Sequence, residues 1–273
     1  MKTTLIAAGL ALAATSASAE TLSVYAPDYF ASEWGPGPAI KEAFQAECGC
    51  ELEWVTGDVL PRILLEEGHH DAVTWAIEQG AVGGMPLTGF AFGCASNADA
   101  FVPSPNQFSY FQGGGFDVSY PSFMEVDVDG NVNVSKLGKK PYLTAGCGGF
   151  VDITAHAKKI VFSGYFEAGA QLELTDEGLR VASPGKFTKM VEAVEHVTFA
   201  GRRAGARGAD VLYITERCVM RLGDKGLVAH EIMPGIEPER DIIAASEGRV
   251  SVAENATTMP LSLLRDEPMG LSL

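Results

Sequence analysis

A restart in the rhythm of strand and helix at Asp58–Val59 constrains this chain more than any other feature. Thr21 to Ala26 alternates like a first strand, and Trp34-Gly-Pro-Gly-Pro38 then breaks the chain. Ala39 to Glu47 has helical spacing, and Glu51 to Val55 reads as a second short strand. That is the opening βαβ of an α/β domain. From Val59 the pattern begins again: Leu60 to Glu67 is helical and ends at Gly68, and Ala72 to Ile77 is an apolar, β-branched run stopping at Glu78-Gln79-Gly80. Two openings in one chain predict two domains, over 20–58 and 59–273. Charge marks the same border. Residues 20–58 hold the acids Glu20, Asp28, Glu33, Glu42, Glu47, Glu51, Glu53 and Asp58 against the single base Lys41, whereas the remainder is far closer to balance.

With 273 residues, 47% of them apolar and 20% charged, disorder and long coiled coils are excluded. The net charge of −15 argues against non-specific nucleic-acid binding and against adhesion to an anionic membrane face. An acidic chain still binds anions locally through glycine loops, so phosphate-bearing ligands stay open. Residues 1–19 read as an export signal: Lys2 begins a short positive region, Leu5 to Ala14 is apolar, and Ala17-Ser18-Ala19 precedes cleavage before Glu20. That apolar stretch is too short to span a bilayer, and no later segment is long enough, so no membrane span is expected.

The cysteines, at 48, 50, 94, 147 and 218, are odd in number, which excludes a fully paired disulfide framework. Neither they nor the histidines at 69, 70, 156, 196 and 230 show metal-ligand spacing, so no metal site is expected. Scattered single cysteines are usually buried small hydrophobes in a reducing compartment. The leader predicts the periplasm instead, and the two signals conflict.

Farther along, Asp127-Val-Asp-Gly130 reads as a hairpin turn before Asn131-Val-Asn-Val134. Lys159 to Phe162, Leu172 to Leu174 and Leu179 to Ala182 read as strands, the last two joined across Thr175-Asp-Glu-Gly178. His196 to Phe199, Val211 to Thr215 and Val219 to Leu222 follow as strands, and Glu239 to Ala245 as a helix. The class is α/β with a mixed sheet.

Two places attract chemistry. Glu78 follows a strand-like run and precedes a glycine turn, and α/β sheets place ligands at the carboxyl ends of strands. A carboxylate there can act as base or covalent nucleophile, although a surface carboxylate at a turn fits the same pattern. Gly80, Gly83 and Gly84 beside it are candidate substrate-binding positions. The second place is Ala145-Gly-Cys-Gly-Gly-Phe150, whose small residues let backbone N–H groups converge on one spot and stabilise an oxyanion. A plain tight turn would have the same composition.

Together these segments resemble a known family. Thr74-Trp-Ala-Ile-Glu-Gln-Gly-Ala-Val-Gly-Gly-Met-Pro86 looks like the catalytic glutamate segment of family I CoA-transferases of the acetate/propionate type. Val126 to Lys136, Ala145 to Ile153, Ala157 to Phe162 and Val211 to Arg217 match the same pattern in order and spacing. The resemblance implies a three-layer, mixed-sheet α/β fold. It implies that Glu78 is the nucleophile, passing through an acyl-glutamyl anhydride to a glutamyl-CoA thioester in a ping-pong exchange between an acyl-CoA and a short-chain carboxylic acid. Ala145, Gly146, Cys147, Gly148, Gly149 and Phe150 would form the oxyanion loop, with Cys147 at its variable position and not a nucleophile. Coenzyme A would be substrate and covalent intermediate, with no bound cofactor. The likeness covers only the glutamate-bearing half, which implies a CoA-binding N-terminal half or subunit as partner. It also points to the cytoplasm, against the leader.

Residues 20–58 resemble something else. Val24-Tyr-Ala-Pro-Asp-Tyr-Phe-Ala-Ser-Glu-Trp-Gly-Pro-Gly-Pro38 and Ala43 to Leu52 look like the start of periplasmic thiamine-binding proteins of ABC importers, with Trp34 at an aromatic position and Pro27 departing from one. The chain thus reads as a mosaic. The leading expectation is CoA transfer by residues 59–273; the alternatives are a thiamine receptor or a mosaic without activity.

Overall fold

The computed structural model describes residues 21–26, 37–48, 51–56, 59–87, 91, 93–138, 144–265 and 267–272. The expected export signal over 1–19, Pro27, Trp34 and Cys50 lie outside the described residues. Two compact units divide the chain: one takes in the described residues up to Arg62 and those of 87–92, the other residues 63–86 and those from Gly93 onward.

In the first unit, strand β1 (Thr21–Ala26) pairs in parallel with β2 (Glu51–Thr56), Thr21 opposite Glu51 and Ala26 opposite Thr56. Helix α1 (Gly37–Cys48) lies between them in sequence. Pro38 in its first turn is harmless there, because the first amides of a helix have no internal partner to lose. This is the expected βαβ unit. Helix α2 (Val59–Glu66) follows, its residues up to Arg62 in this unit and those from Ile63 in the second, and the chain leaves it at Gly68, whose φ of +76° lies in the left-handed region.

In the second unit the expected strand Ala72–Ile77 does not form. Residues 70–72 make one 3-10 turn, Val73 and Thr74 are exposed, and only Ala76 joins a ladder, opposite Val82. The run is one arm of a small hairpin, held by the Ile77 amide on the Ala81 carbonyl (2.8 Å) and the Gly83 amide on the Trp75 carbonyl (2.8 Å). Short ladders follow, β3 (Ala81–Val82) with β6 (Ala100–Phe101) and β4 (Met85–Pro86) with β5 (Ala95–Ser96), both antiparallel. Helix α3 (Ser104–Gln112) comes next.

A six-stranded mixed sheet forms the centre. Its order is β19 (Val250–Thr258), β18 (Gly226–Ile232), β17 (Cys218–Gly223), β16 (Asp210–Ile214), β10 (Lys159–Ser163) and β7 (Val118–Ser119). Strands β7, β10 and β16 run parallel, β17 pairs antiparallel with β16 and β18, and β19 runs parallel to β18. Strands β8 (Glu125–Asp127), β9 (Val132–Asn133) and β15 (Met190–Val191) form a second sheet. The expected turn at Asp127–Gly130 is there: the Asp127 carboxylate accepts the amides of Asp129 and Asn131, and Gly130 takes a φ of +69°. Strands β12 (Gln171–Thr175) and β13 (Gly178–Ser183) make the expected hairpin, and β11 (Glu167–Ala168) pairs with β14 (Phe187–Thr188). Helix α4 (Phe150–Ala155) precedes β10, and α5 (Gly201–Ala206) precedes β16.

Two other expectations are corrected. Within His196–Phe199 only Phe199 is bridged, to Val132; His196 and Val197 are exposed, and Thr198 turns its hydroxyl to Ser135. Pro238–Ala244 is helical, but wound as a wide π-type turn that satisfies the buried Asp241. Among the described cysteines Cys218 is buried in β17 as expected, whereas Cys94 is exposed beside the Gly93 turn.

The core is built around stacked aromatic rings. Phe162 of β10 stacks on Tyr213 of β16 at 5.5 Å and on Phe150 at 5.8 Å, with Phe199 edge-on at 4.9 Å. Away from these, residues 269–271 fold back on the end of α2: Glu67 accepts the amides of Met269 and Leu271, and His69 meets the Leu271 carbonyl.

Candidate active site

Glu78 sits on the turn of the small hairpin, where the Gly80 amide closes back on the Ile77 carbonyl at 2.9 Å. Gly80 has a φ of +117°, and a Cβ there would fall 2.0 Å from the Val102 carbonyl oxygen, so no other residue fits this turn. Gly83 and Gly84 are packed in the same way against Asp99 and the Ser96 carbonyl. At these positions the missing side chain makes room for the Val102 carbonyl, the Asp99 carboxylate and the Ser96 carbonyl in turn. Gln107, buried on α3, donates its side-chain amide to the Ile77 carbonyl at 3.1 Å and steadies the turn from below.

The second expected segment arrives from the far side of the sequence. Ser135 offers its carbonyl to the amides of Ala145 (2.8 Å) and Gly146 (3.0 Å), which fixes the loop's entry. Its exit is fixed by Phe150, buried in the aromatic core at the start of α4. Between these anchors Gly146 and Gly148 take positive φ values of +80° and +50°. The Gly149 amide then donates to Oε1 of Glu78 at 3.0 Å. A Cβ on Gly149 would sit 2.4 Å from the Phe108 ring and 2.9 Å from the Glu78 carboxyl carbon, and one on Gly148 3.2 Å from Oε1. The carboxylate therefore lies directly against glycine backbone. Cys147 faces the core, half-buried and free, and its carbonyl accepts the Phe150 amide.

Chemically this is a half-exposed carboxylate with one oxygen held by a backbone amide and its chain fixed by a buried glutamine. It can present its other oxygen to an electrophile while a donor waits at the first. Sequence reading pairs Glu78 with residues 145–150 and misses Gln107 and Phe108. A glutamine on a helix that starts Ser-Pro-Asn carries no sign of burial. Among the described residues no three metal-ligating side chains gather, and no helix is long and apolar enough to cross a membrane.

No protein-family model matches the chain. Acetate CoA-transferase YdiF of Escherichia coli (strain K12) is 38% identical over 217 residues, 79% of this chain and 40% of that protein. Caffeate CoA-transferase of Acetobacterium woodii is 35% identical over 212 residues, 77% of this chain and 40% of that protein. The crystal structure of YdiF apoenzyme from Escherichia coli O157:H7 superposes with a TM-score of 0.71 at 36% identity, covering 78% of this chain and 40% of that one. The fold is that of the CoA-transferases. This CoA-transferase fold has also been solved in YdiF as a thioester complex with CoA, with the same TM-score of 0.71 at 35% identity. The chain spans about two fifths of the length of these curated CoA-transferases. A separate likeness, 52% identical over 46 residues, is to the thiamine-binding periplasmic protein of Salmonella typhimurium and covers 17% of this chain and 14% of that protein.

Proposed function

We propose that this chain carries the catalytic glutamate of a CoA-transferase, moving CoA between an acyl-CoA and a short-chain carboxylic acid such as acetate or propionate. The observation that carries the reading is the Gly149 amide on Oε1 of Glu78. Oε2 of Glu78 attacks the acyl carbonyl, the carbon–sulfur bond breaks, and CoA leaves as thiolate. The thiolate then attacks the glutamyl carbonyl carbon and expels the acyl group as carboxylate, leaving a glutamyl-CoA thioester on Glu78. An incoming carboxylate runs both steps in reverse. Once Oε2 is acylated, Oε1 becomes the carbonyl oxygen on which charge develops, and the Gly149 donor is already in place. Covalent storage on Glu78 keeps the thioester's transfer potential from being lost to water.

Because the match takes in about two fifths of each relative, we assign the CoA-binding surface to the other CoA-transferase half, a partner half or subunit for this one. Residues 59–273 are proposed as the catalytic domain, and residues 20–58 as a binding-protein-like segment. The 46-residue likeness leaves out most of a two-lobed receptor, so thiamine binding is not proposed. The leader over 1–19 argues for the periplasm and CoA chemistry for the cytoplasm; N-terminal mass analysis of the expressed protein, which reads cleavage after Ala19 directly, decides between them.

The test is intact-mass analysis after incubation with acetyl-CoA or propionyl-CoA, alone and with a CoA-transferase N-terminal half. A CoA adduct that is absent from Glu78→Gln supports the reading. No adduct in either setting, from folded protein, overturns it.

A further inference from the structure

We propose that Asn133 is a positioning residue for the Glu78 site, holding the 145–149 loop through Ser135 and Lys136; the inference rests on the transferase reading for its catalytic consequence only. Asn133 lies on β9 and has no exposed surface. Its Oδ1 accepts the amides of Ser135 (3.0 Å) and Lys136 (3.2 Å), and its Nδ2 donates to the Lys136 carbonyl (2.6 Å) and to Oε2 of Glu125 (2.8 Å). All the hydrogen-bonding capacity of a carboxamide is used, two accepted and two donated. Swapping the oxygen and nitrogen would set NH2 against two amides, so the orientation is fixed by its partners.

This side chain ties residues 133–136 into one rigid turn. Ser135 passes the constraint on, since its carbonyl holds the Ala145 and Gly146 amides, and its hydroxyl meets that of Thr198 at 2.8 Å. Lys136 adds a bridge to Thr144. Three residues past Gly146 is the amide on Glu78. The loop is therefore gripped at its entry by a buried amide and at its exit by Phe150, with only glycine and Cys147 between. No isosteric residue reproduces the grip: leucine offers none of the four bonds, and aspartate puts an acceptor where the two donors faced the Lys136 carbonyl and the Glu125 carboxylate.

The experiment compares the full chain with Asn133→Asp and with Asn133→Asp/Glu125→Gln, in which the carboxamide introduced at position 125 donates back to the new carboxylate. Hydrogen exchange is followed at Ala145, Gly146 and Gly149, with Val219 to Leu222 of the central sheet as reference. Asn133→Asp is expected to speed loop exchange about tenfold, the equivalent of one lost hydrogen bond, with the reference strand unchanged and the double variant returning part of the protection. The rate of CoA-adduct formation on Glu78 falls about 100-fold by misplacement of the amide, while the acetyl-CoA concentration for half-maximal rate stays put. Unchanged loop exchange, or equal acceleration in the reference strand, overturns the proposal. A wild-type chain that forms no adduct under any setting overturns the transferase reading instead, and the exchange data still decide the role of Asn133.

Discussion

The carboxylate of Glu78 and the backbone amide of Gly149 meet at 3.0 Å although 71 residues separate them in the chain. Neither group is held by its immediate neighbours alone. Gln107 fixes the turn that carries the acid, and Ser135 with Phe150 fixes the loop that carries the amide. A nucleophile held this way loses little freedom on reaction, since its orientation is settled when the protein folds.

Replacing Gly149 with alanine tests that contact. The new methyl would press on the Phe108 ring at 2.4 Å and on the Glu78 carboxyl carbon at 2.9 Å, so one of them must move. Adduct formation from acetyl-CoA is expected to fall about 100-fold, with a stability loss of about 1–3 kcal/mol from overpacking. A wild-type rate, measured by time-resolved intact mass, would show the contact to be immaterial.

Arg217 is a second buried hub, and its removal should unfold the protein more readily than any surface change. It is 1% exposed, lies over the Phe166 ring at 4.9 Å, and donates to Glu167 (2.5 Å), Glu216 (3.1 Å) and the Asp241 carbonyl (2.8 Å). Arg217→Met leaves the buried Glu167 carboxylate uncompensated, costing about 3–5 kcal/mol. Adding Glu167→Gln should recover part of that loss in urea denaturation, and no recovery would remove charge as the cause.

Alkaline pH should weaken the fold through Cys218. Burial pushes its thiol up from 9.0 to about 12, with Thr215 pulling the other way. The folded chain keeps the proton where the unfolded chain loses it, so this contribution is complete below pH 9 and drains away as pH rises toward 12. The slope is on the order of 1 kcal/mol per pH unit. Denaturation midpoints from about pH 8.5 to about 11 should fall less steeply for Cys218→Ala than for wild type.

At the acid end, residues 269–271 should detach first. The backbone amides of Leu271 and Met269 hold the Glu67 carboxyl below its usual 4.5. A depressed acid of this kind contributes stability above pH 4.5 and loses it as pH falls through the lower folded value. Protection of the Met269 and Leu271 amides, corrected for the intrinsic pH dependence of exchange, should fall as pH drops below 4.5 while the central sheet stays protected. Glu67→Gln should show the faster exchange already at neutral pH.

Local signals in the sequence are legible where the chain solves its problem locally. The βαβ opening, the Asp127–Gly130 turn and the hairpin across Thr175–Gly178 each rest on a few adjacent residues. Ala72–Ile77 misleads because an apolar run records a tendency to be buried without recording a partner, and this one pairs only with its own return. Helix α3 is hard to see because Ser-Pro-Asn-Gln opens it with polar residues. The Asp127–Gly130 turn ahead of Asn133 is legible, but polar-apolar alternation with Val132 and Val134 carries no sign that its carboxamide is buried by bonds to Glu125, Ser135 and Lys136. Glu78 and the glycine loop are each visible as candidates, but nothing in composition joins them; the family resemblance supplies the pairing, and the hydrogen bond gives it a distance.

The clasp between Glu67 and residues 269–271 has a mechanical consequence. It joins the turn after α2 to backbone amides 202 and 204 positions farther along the chain, and His69 adds the Leu271 carbonyl. A pull on either segment is borne by the two oxygens of one carboxylate, so this joint opens ahead of the sheet behind it.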